Sequence, residues 1–500
     1  MTTPGGLLLV LAVLVPFIAV MAGLVLGGRN AERVAMATVG LGFVIVLAIA
    51  RSLLASREAV VYMLGGWAPP LGVALRADGL SVVMMLAVSV VIAGIAIFAR
   101  GDFTTPAGVR ESRASLTFWL LLMAVWGALN LVFVSGDVFT LYVALELLTF
   151  AGVPLVCLDG RGETLRAALR YLLFALLGSM LYLLGVFLLY GAYGTLDIAM
   201  LGERVSAGPL TWTAAALMTA GLLAKTALFP LHLWLPPAHA GAPAAASAVL
   251  SALVIKGSWF LAVRLWLDVF PGVITWSSAQ LLAGMGVAAI LVGNIVALRQ
   301  ARLKLLIAYS TVAQIGYLFL MFPLAAAARA AHIDESAAVT GGMLQAISHA
   351  TAKAAMFMAA GLIYSTLGHD RVADLRGAGR ALPMTMLAFS LAGASLIGLP
   401  PSGGFLAKWL LISAAITTAQ WWWGLAMLVG GLLTSMYVFI VVMRAMERPD
   451  VDWVPKRTVP GYQQGAVLAL ALCSFLLGAA ALFPLDLSRL GRAPVAWDMP

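Results

Sequence analysis

Apolar residues run through this chain in long blocks, separated by short polar interruptions that recur from end to end. Blocks of spanning length lie at 6–27, 33–54, 79–99, 115–135, 138–158, 168–190, 211–235, 244–267, 277–298, 304–325, 340–364, 384–412, 423–444 and 464–484. Crossing the hydrocarbon core takes about 20 residues of α-helix. The pattern therefore predicts an all-α polytopic membrane protein of about fourteen transmembrane helices. No stretch has the polar balance of a soluble domain. The longest connections, 55–78 and 445–462, are short enough to lie along a membrane surface.

Composition agrees. Of 500 residues, 63% are hydrophobic and 10% charged, against about 25% charged in soluble domains. The net charge of +9 raises the question of nucleic acid, but the cations form neither a patch nor a basic helix. They stand in twos, threes and fours between apolar blocks, as the positive-inside rule requires. Connections one, three, five, nine, eleven and thirteen hold eighteen of them, including Arg29 and Arg33, Arg100, Arg110 and Arg113, and Arg299, Arg302 and Lys304. The opposite side holds eight, among them Arg76, Arg264 and Arg492. That asymmetry places both termini outside, away from the cytoplasm. The first block has no basic residue before it and is long enough to span, which predicts a mature helix and not a cleaved signal. Cys157 and Cys473 both lie inside apolar blocks, so neither a disulfide framework nor a CxxC metal or redox site is expected.

Four basic residues remain, Lys225, Lys256, Lys353 and Lys408, and each interrupts an apolar block. The chain has six lysines and 24 arginines, yet four of the six lysines are inside while the arginines stand at edges. Of the acidic residues, Glu146 alone lies well inside a span, with Asp78 and Asp137 at span edges. A charge at the bilayer centre costs from about 3 to over 10 kcal/mol. Arginine would keep its proton there, with a pKa above about 12. Lysine can release it, since desolvation lowers its pKa by as much as roughly 3–5 units. The choice of lysine inside selects groups that change protonation state. A single buried lysine has a blander explanation, either snorkelling to the surface or a permanent ion pair. With one acid available, at most one of the four can be locked in such a pair.

Helix breakers stand beside two of these lysines. Span seven reads GLLAKTALFPLHLWLPPAH, where Pro230 has no N–H to offer the carbonyl of Thr226. Span twelve reads LAGASLIGLPPSGGFLAKW, where Pro400, Pro401, Gly403 and Gly404 interrupt the helix before Lys408. Irregular backbone at membrane depth is tolerated where it lines a cavity, and paired broken helices mark transport routes; a packing kink is the plainer alternative. His349 and Lys353, four residues apart, share a helical face, and histidine titrates near neutrality. Ser310, Gln314 and Tyr317 form a polar stripe in span ten, and Ser247 and Ser251 precede Lys256 by whole turns. Such groups serve equally as interhelical glue or as a relay. His232 and His239 flank the Trp234–Pro237 break, the first suited to conduction and the second equally to shaping the turn. Trp421, Trp422 and Trp423 have the look of an interfacial anchor.

These residues carry a resemblance. The segment AKTALFPLHLWLPPAHAGAPAAASAVLSALVIK from Lys225 through Lys256, ALELLTF around Glu146, LKLLIAYSTVAQIGY at 303–317, SHATAKAAMFMAAG at 348–361 and GLPPSGGFLAKW at 398–409 resemble the antiporter-like proton-translocating subunits. Respiratory complex I, membrane-bound hydrogenases and multisubunit Mrp-type sodium/proton antiporters share these subunits. The resemblance implies two inverted five-helix repeats, 115–267 (helices 4–8) and 277–444 (helices 9–13), after N-terminal helices in 1–114 and before a last helix and tail in 445–500. It further implies Glu146 and Lys225 as the carboxylate–lysine couple of a first half-channel, and Lys256 as the bridging lysine. His349 and Lys353 would continue the axis to Lys408, the terminal lysine of the second half-channel, with His232, Pro230, Ser251, Ser310, Gln314 and Pro400 in support. A lysine at the last position resembles the D-type subunits of Mrp antiporters; one complex I member usually carries glutamate there. The chain also ends without the long lateral helix of the largest complex I member. Partner membrane subunits and the lipid bilayer are implied, with protons as cargo and Na+ as a candidate counter-ion. No cofactor, metal or nucleic acid is implied, since no haem, flavin or iron–sulfur ligand set is present. The alternatives are a pumping subunit of a complex I-like NADH:quinone oxidoreductase or membrane-bound hydrogenase, and a stand-alone secondary transporter.

Overall fold

The structure, a computed structural model, describes residues 2–106, 108–109, 111–448, 456–480 and 487–492. Arg110, counted above among the loop cations, and 481–484, the end of the fourteenth expected span, lie outside the described residues, as does much of the tail after 484.

The apolar blocks become helices in the expected order. They run α1 (Leu7–Leu26), α2 (Gly28–Ser56), α3 (Gly79–Phe103), α4 (Arg113–Val134), α5 (Val138–Val156), α6 (Gly162–Tyr193), a short α7 (Ile198–Arg204), then α8 (Pro209–Thr226) and α9 (Leu235–Gly241). Next come α10 (Ala244–Val249) and α11 (Ile255–Arg264), joined and extended by wide π turns at Leu250–Val254 and Leu265–Val269. They are followed by α12 (Trp276–Leu298), α13 (Leu303–Ala330), α14 (Ser336–Leu367), a single turn α15 (Ala378–Ala381), α16 (Pro383–Ile397), α17 (Gly403–Thr417), α18 (Trp421–Met446) and α19 (Gly461–Leu476). Among the described residues, eleven helices are long and apolar enough to cross a membrane. The other expected spans are the broken pairs α8/α9 and α16/α17, and the shorter α19. One element goes beyond the all-helical expectation. Within 55–78, β1 (Val60–Met63) pairs antiparallel with β2 (Ala74–Ala77), Val60 opposite Ala77 and Met63 opposite Ala74.

Burial sorts the helices into an inner and an outer set. The continuous helix from Ala244 to Val269, α13 and α14 are buried almost all round, whereas α1, α2, α6, α12 and α18 bury less than half of their apolar windows. A helix hydrophobic on every side belongs in the middle of a bundle. The polar residues it carries there must be matched by protein or water.

Two ionic belts tie the helix ends together, and they follow the two sets of basic residues. On one side Arg100 pairs with Glu32, Arg302 with Asp370, Arg376 with Glu447, and Arg457 with Asp102. On the other, Arg264 grips Asp78 through two hydrogen bonds of 2.6 Å and also reaches Asp268 at 2.9 Å. Arg492 adds to Asp268 at 3.1 Å. Arg264 stands in the last turn of α11, at an edge as expected for the arginines, but it is buried there, 9% exposed. Burial alone would raise the Asp78 carboxyl, but the charge and hydrogen bonds of Arg264 outweigh it and hold that group well below the ordinary carboxylate range. Arg264→Ala would leave Asp78 buried without its counter-charge, which costs about 3–5 kcal/mol in comparable cases. The expected result is a lower melting temperature and a lower yield of assembled protein, measured by thermal unfolding in detergent.

Candidate functional site

All four interior lysines stay interior. Lys225, Lys256, Lys353 and Lys408 are 6%, 1%, 0% and 7% exposed, so none snorkels to the head groups. Each amine is held by oxygens or nitrogen inside the bundle.

Lys225 ends α8. The helix stops at Thr226 and Ala227 takes a left-handed φ of 58°, three residues ahead of Pro230. Lys225 Nζ donates to Thr149 Oγ1 at 2.8 Å and Leu145 O at 3.3 Å, and lies 3.3 Å from Glu146 Oε1. Its position depends on a close approach of α6 and α8. A Cβ added at Gly221 would sit 2.2 Å from Gly178 O, so only glycine lets these backbones meet. Glu146 is the more exposed partner, its side chain 15% accessible against 5% for the lysine. It shares its side of α5 with the exposed Val143, Leu147 and Phe150. Inward, Thr226 Oγ1 donates to Ser258 Oγ at 3.0 Å. A cavity of about 10 Å³ between Lys225, Thr149, Val254 and Ser258 has about the room of one water.

Lys256 follows the first wide turn. Loosening the helix at Leu250–Val254 leaves Ser251 O for Lys256 Nζ, 3.1 Å away, while Ser251 Oγ meets Thr311 Oγ1 at 3.0 Å. Such π turns recur at functional sites. The second partner of Lys256 Nζ is Nδ1 of His349, from α14. An amine against an imidazole nitrogen can share one proton, and His349 Nε2 has no partner among the described residues. The i,i+4 spacing of His349 and Lys353 does put them on one face of α14, but they do not bond to each other. Lys353 Nζ instead donates to Ser310 Oγ and to Ile307 O at 3.1 Å, both on α13.

From there α13 leads to the second break. Gln345 Nε2 donates to Gln314 Oε1 at 2.9 Å, and Gln314 Nε2 donates to Leu396 O at 3.3 Å. Helix α16 ends at Ile397, and Gly398 turns the chain at φ 95°, a value that favours glycine. Pro400 lies in the following turn, and Ser402 caps α17 through the Phe405 N–H at 3.1 Å. Lys408, on α17, reaches back to the carbonyls of Leu396 (2.6 Å) and Ile397 (2.9 Å), which the end of α16 leaves free. Its ammonium also stands 4.4 Å over the Tyr317 ring. The two broken spans thus differ. Lys408 sets its amine on the carbonyls at the negative end of a half-helix, where the dipole favours a cation, whereas Lys225, in the last turn of α8, turns its amine to α5.

A larger cavity, about 580 Å³, opens on the side of the larger basic set. Its walls include Asp159, Arg161, Arg166, Arg170, Arg302 and Lys304. Lys304 Nζ donates to Ala242 O at 2.7 Å. His239, one residue from the cavity wall at Ala240, is fully buried and stacked on Phe357 at 4.6 Å. Neither of its ring nitrogens has a partner among the described residues, so water is the natural match. His232 stacks on Phe229 beside the Phe229–Pro230 bond, with its Nδ1 also unmatched. Ser247 Oγ is buried and has no partner among the described residues either, Lys256 included.

Sequence reading missed Thr149, Thr226, Ser258 and Gln345. Each is a small or neutral polar residue whose only signal was its place in an apolar block. Among the described residues, no group of three or more His, Cys, Asp or Glu side chains could hold a metal.

Fold and site together define a polytopic membrane protein with a buried row of titratable groups. Residues 135–434 match the family described as NADH:quinone oxidoreductase/Mrp antiporter, TM, and the chain belongs to it. It is 34% identical over 388 residues to the N subunit of the NADH-quinone oxidoreductase of Desulforudis audaxviator, covering 77% of this chain and 75% of that one. It is 30% identical over 390 residues to the D subunit of the Na(+)/H(+) antiporter of Alkalihalophilus pseudofirmus, covering 76% and 75%. Its fold is similar to a chain in the Mrp complex of a Dietzia species, with a TM-score of 0.85 at 24% identity over 97% and 96% of the two chains.

Proposed function

We propose that this chain carries protons as the Mrp D-like member of a multisubunit cation/proton antiporter. The observation that carries the reading is the row itself. Glu146, Lys225, Lys256, His349, Lys353 and Lys408 are buried or half-buried in one bundle; Glu146 meets Lys225 and Lys256 meets His349 directly, and hydroxyls and amides that can hold a proton or a water stand beside the rest. While Glu146 stands beside Lys225, the ammonium has its counter-charge. When the carboxylate withdraws, that charge is unpartnered and the proton moves inward, by Thr226 and Ser258 or a water, to the Lys256–His349 couple. Like charges repel along the row, so each arrival drives the next departure toward Lys408. The cavity at Lys304, through His239, supplies Lys353 from the cytoplasm. Ser251, Ser310, Gln314 and His232 hold the relay groups and their water, and the breaks at Pro230 and Pro400 free the carbonyls.

The membrane is the bacterial cytoplasmic membrane with both termini outside, supported by the two basic sets and their separate belts. The chain divides into two inverted five-helix repeats, 115–267 and 277–444, each with one broken span. Partner subunits complete it. A carboxylate among exposed Val143, Leu147 and Phe150 would be costly against lipid, so a neighbouring protein of the complex covers that part of α5 and can move Glu146. The identity with the N subunit of an NADH-quinone oxidoreductase supports a second reading, the same proton row in a redox-driven complex.

Glu146→Ala and Lys225→Ala are each expected to abolish proton coupling in the assembled complex while assembly survives. The assay is collapse of a preformed pH gradient on adding Na+ to proteoliposomes, with size-exclusion chromatography to follow assembly. Undiminished transport in either variant would refute the scheme.

A further inference from the structure

The mouth of the Lys304 cavity carries cations that nothing else in the described chain neutralises. Arg161 is taken up by Asp159 and by Gly241 O at 3.2 Å, and Arg302 by Asp370 at 3.1 Å. Asp102, also on the wall, is taken up by Arg457 at 3.2 Å. Arg166 and Arg170, one turn apart at the start of α6, make no ion pair or hydrogen bond among the described residues. Lys304 hydrogen-bonds only a backbone carbonyl, and the carboxylates of Asp370 and Asp159 near it are already paired with Arg302 and Arg161. Against these three cations the wall offers one remaining carboxylate, Glu163. A cavity of about 580 Å³ with that surplus is shaped and charged for an anion.

The outer surface beside it says which anion. Leu165, Leu169, Leu173 and Leu177 follow each other at four-residue spacing along α6, 50% to 58% exposed. They make an apolar ridge, inclined to the helix axis, that begins next to Arg166, passes Arg170 and runs on along α6 into the membrane. Arginine grips phosphate with paired hydrogen bonds, and basic pockets between helices on the cytoplasmic side take anionic head groups.

We infer that this cavity is a phosphate site, filled by the head group of an anionic phospholipid whose acyl chains lie along that ridge. Seated on Arg166 and Arg170, the head group shares the cavity with the water that reaches Lys304. The inference rests on the proposed function only for assigning this face to the cytoplasm.

The test is lipid binding, which contains no transport step and so fails or succeeds apart from the proton scheme. The assembled complex, stripped of lipid in mild detergent, is titrated with phosphatidylglycerol and bound lipids are counted by native mass spectrometry. Arg166→Gln/Arg170→Gln is expected to weaken one phosphatidylglycerol site about thirty-fold, about 2 kcal/mol at 1.4 kcal/mol per decade. Each single variant is expected to weaken it about five-fold, which keeps the test open if the double variant fails to assemble. Arg33→Gln, at an exposed position elsewhere on the same face, should change nothing. Phosphatidylcholine should not fill this site. Unchanged affinity in the arginine variants, or equal binding of phosphatidylcholine, overturns the proposal. Inorganic phosphate that fills the site and resists displacement by phosphatidylglycerol keeps the phosphate chemistry and overturns the lipid occupant.

Discussion

Lys256→Met is expected to lower proton transport by roughly 10²–10⁴-fold, the range lost when a positioned proton-transfer group is removed. Methionine keeps most of the volume in a site that is 1% exposed, so packing changes little. What disappears is the proton carrier between the two halves of the row. His349 Nδ1 and Ser251 O lose their donor, a cost of about 1–3 kcal/mol per unmatched buried group. The surrounding helix from Ala244 to Val269 is buried on every side, which is enough to keep the complex assembled. Gradient-driven proton flux in proteoliposomes measures the loss. His349→Gln provides the second reading: it retains a hydrogen-bonding group but cannot become an ammonium-like carrier, so transport should fall while Lys256 stays in place. Near-normal flux in Lys256→Met would mean that protons bypass the centre of the bundle.

The order of spans was legible because apolar length is a one-dimensional signal, and the lysines were legible because charge inside such a block is expensive. Proline and glycine announced both breaks. They did not give the break points: the chain leaves α8 at Ala227, ahead of Pro230, because Pro230 has no N–H for the Thr226 carbonyl and its ring would clash with it. The wide turns at Leu250–Val254 and Leu265–Val269 carry no proline or glycine, so nothing in the residues marked them. Pairing was the least legible feature. Helical spacing says which side of α14 His349 occupies, but the amine it meets comes from a residue 93 positions away. The burial of Arg264 was illegible for a related reason. Span limits carry an error of a few residues, and at a helix end that error separates an exposed cation from a buried one clasping Asp78. The β1–β2 hairpin was passed over because its strands are four residues long and sit in a short connection.

Lys408 should be irreplaceable by any side chain without a proton to give. Lys408→Met is expected to cut transport as deeply as loss of the central lysine, roughly 10²-fold or more, with assembly intact. The reason lies in its partners. Leu396 O, Ile397 O and the face of the Tyr317 ring are all electron-rich, and the C-terminal end of α16 adds a dipole of the same sense. This pocket holds a cation without a carboxylate. Lys408→Glu separates two kinds of terminus. A carboxylic acid can donate to one of those carbonyls, but its ionised form faces three acceptors and the wrong end of the dipole. Proton release would be hindered at the step where the charge must appear, so the glutamate variant should transport slowly, more than methionine and far less than lysine. Stopped-flow proton flux in proteoliposomes ranks the three. If glutamate and methionine were both as fast as lysine, the terminal amine would have no part in the route, and the row would have to end at Lys353.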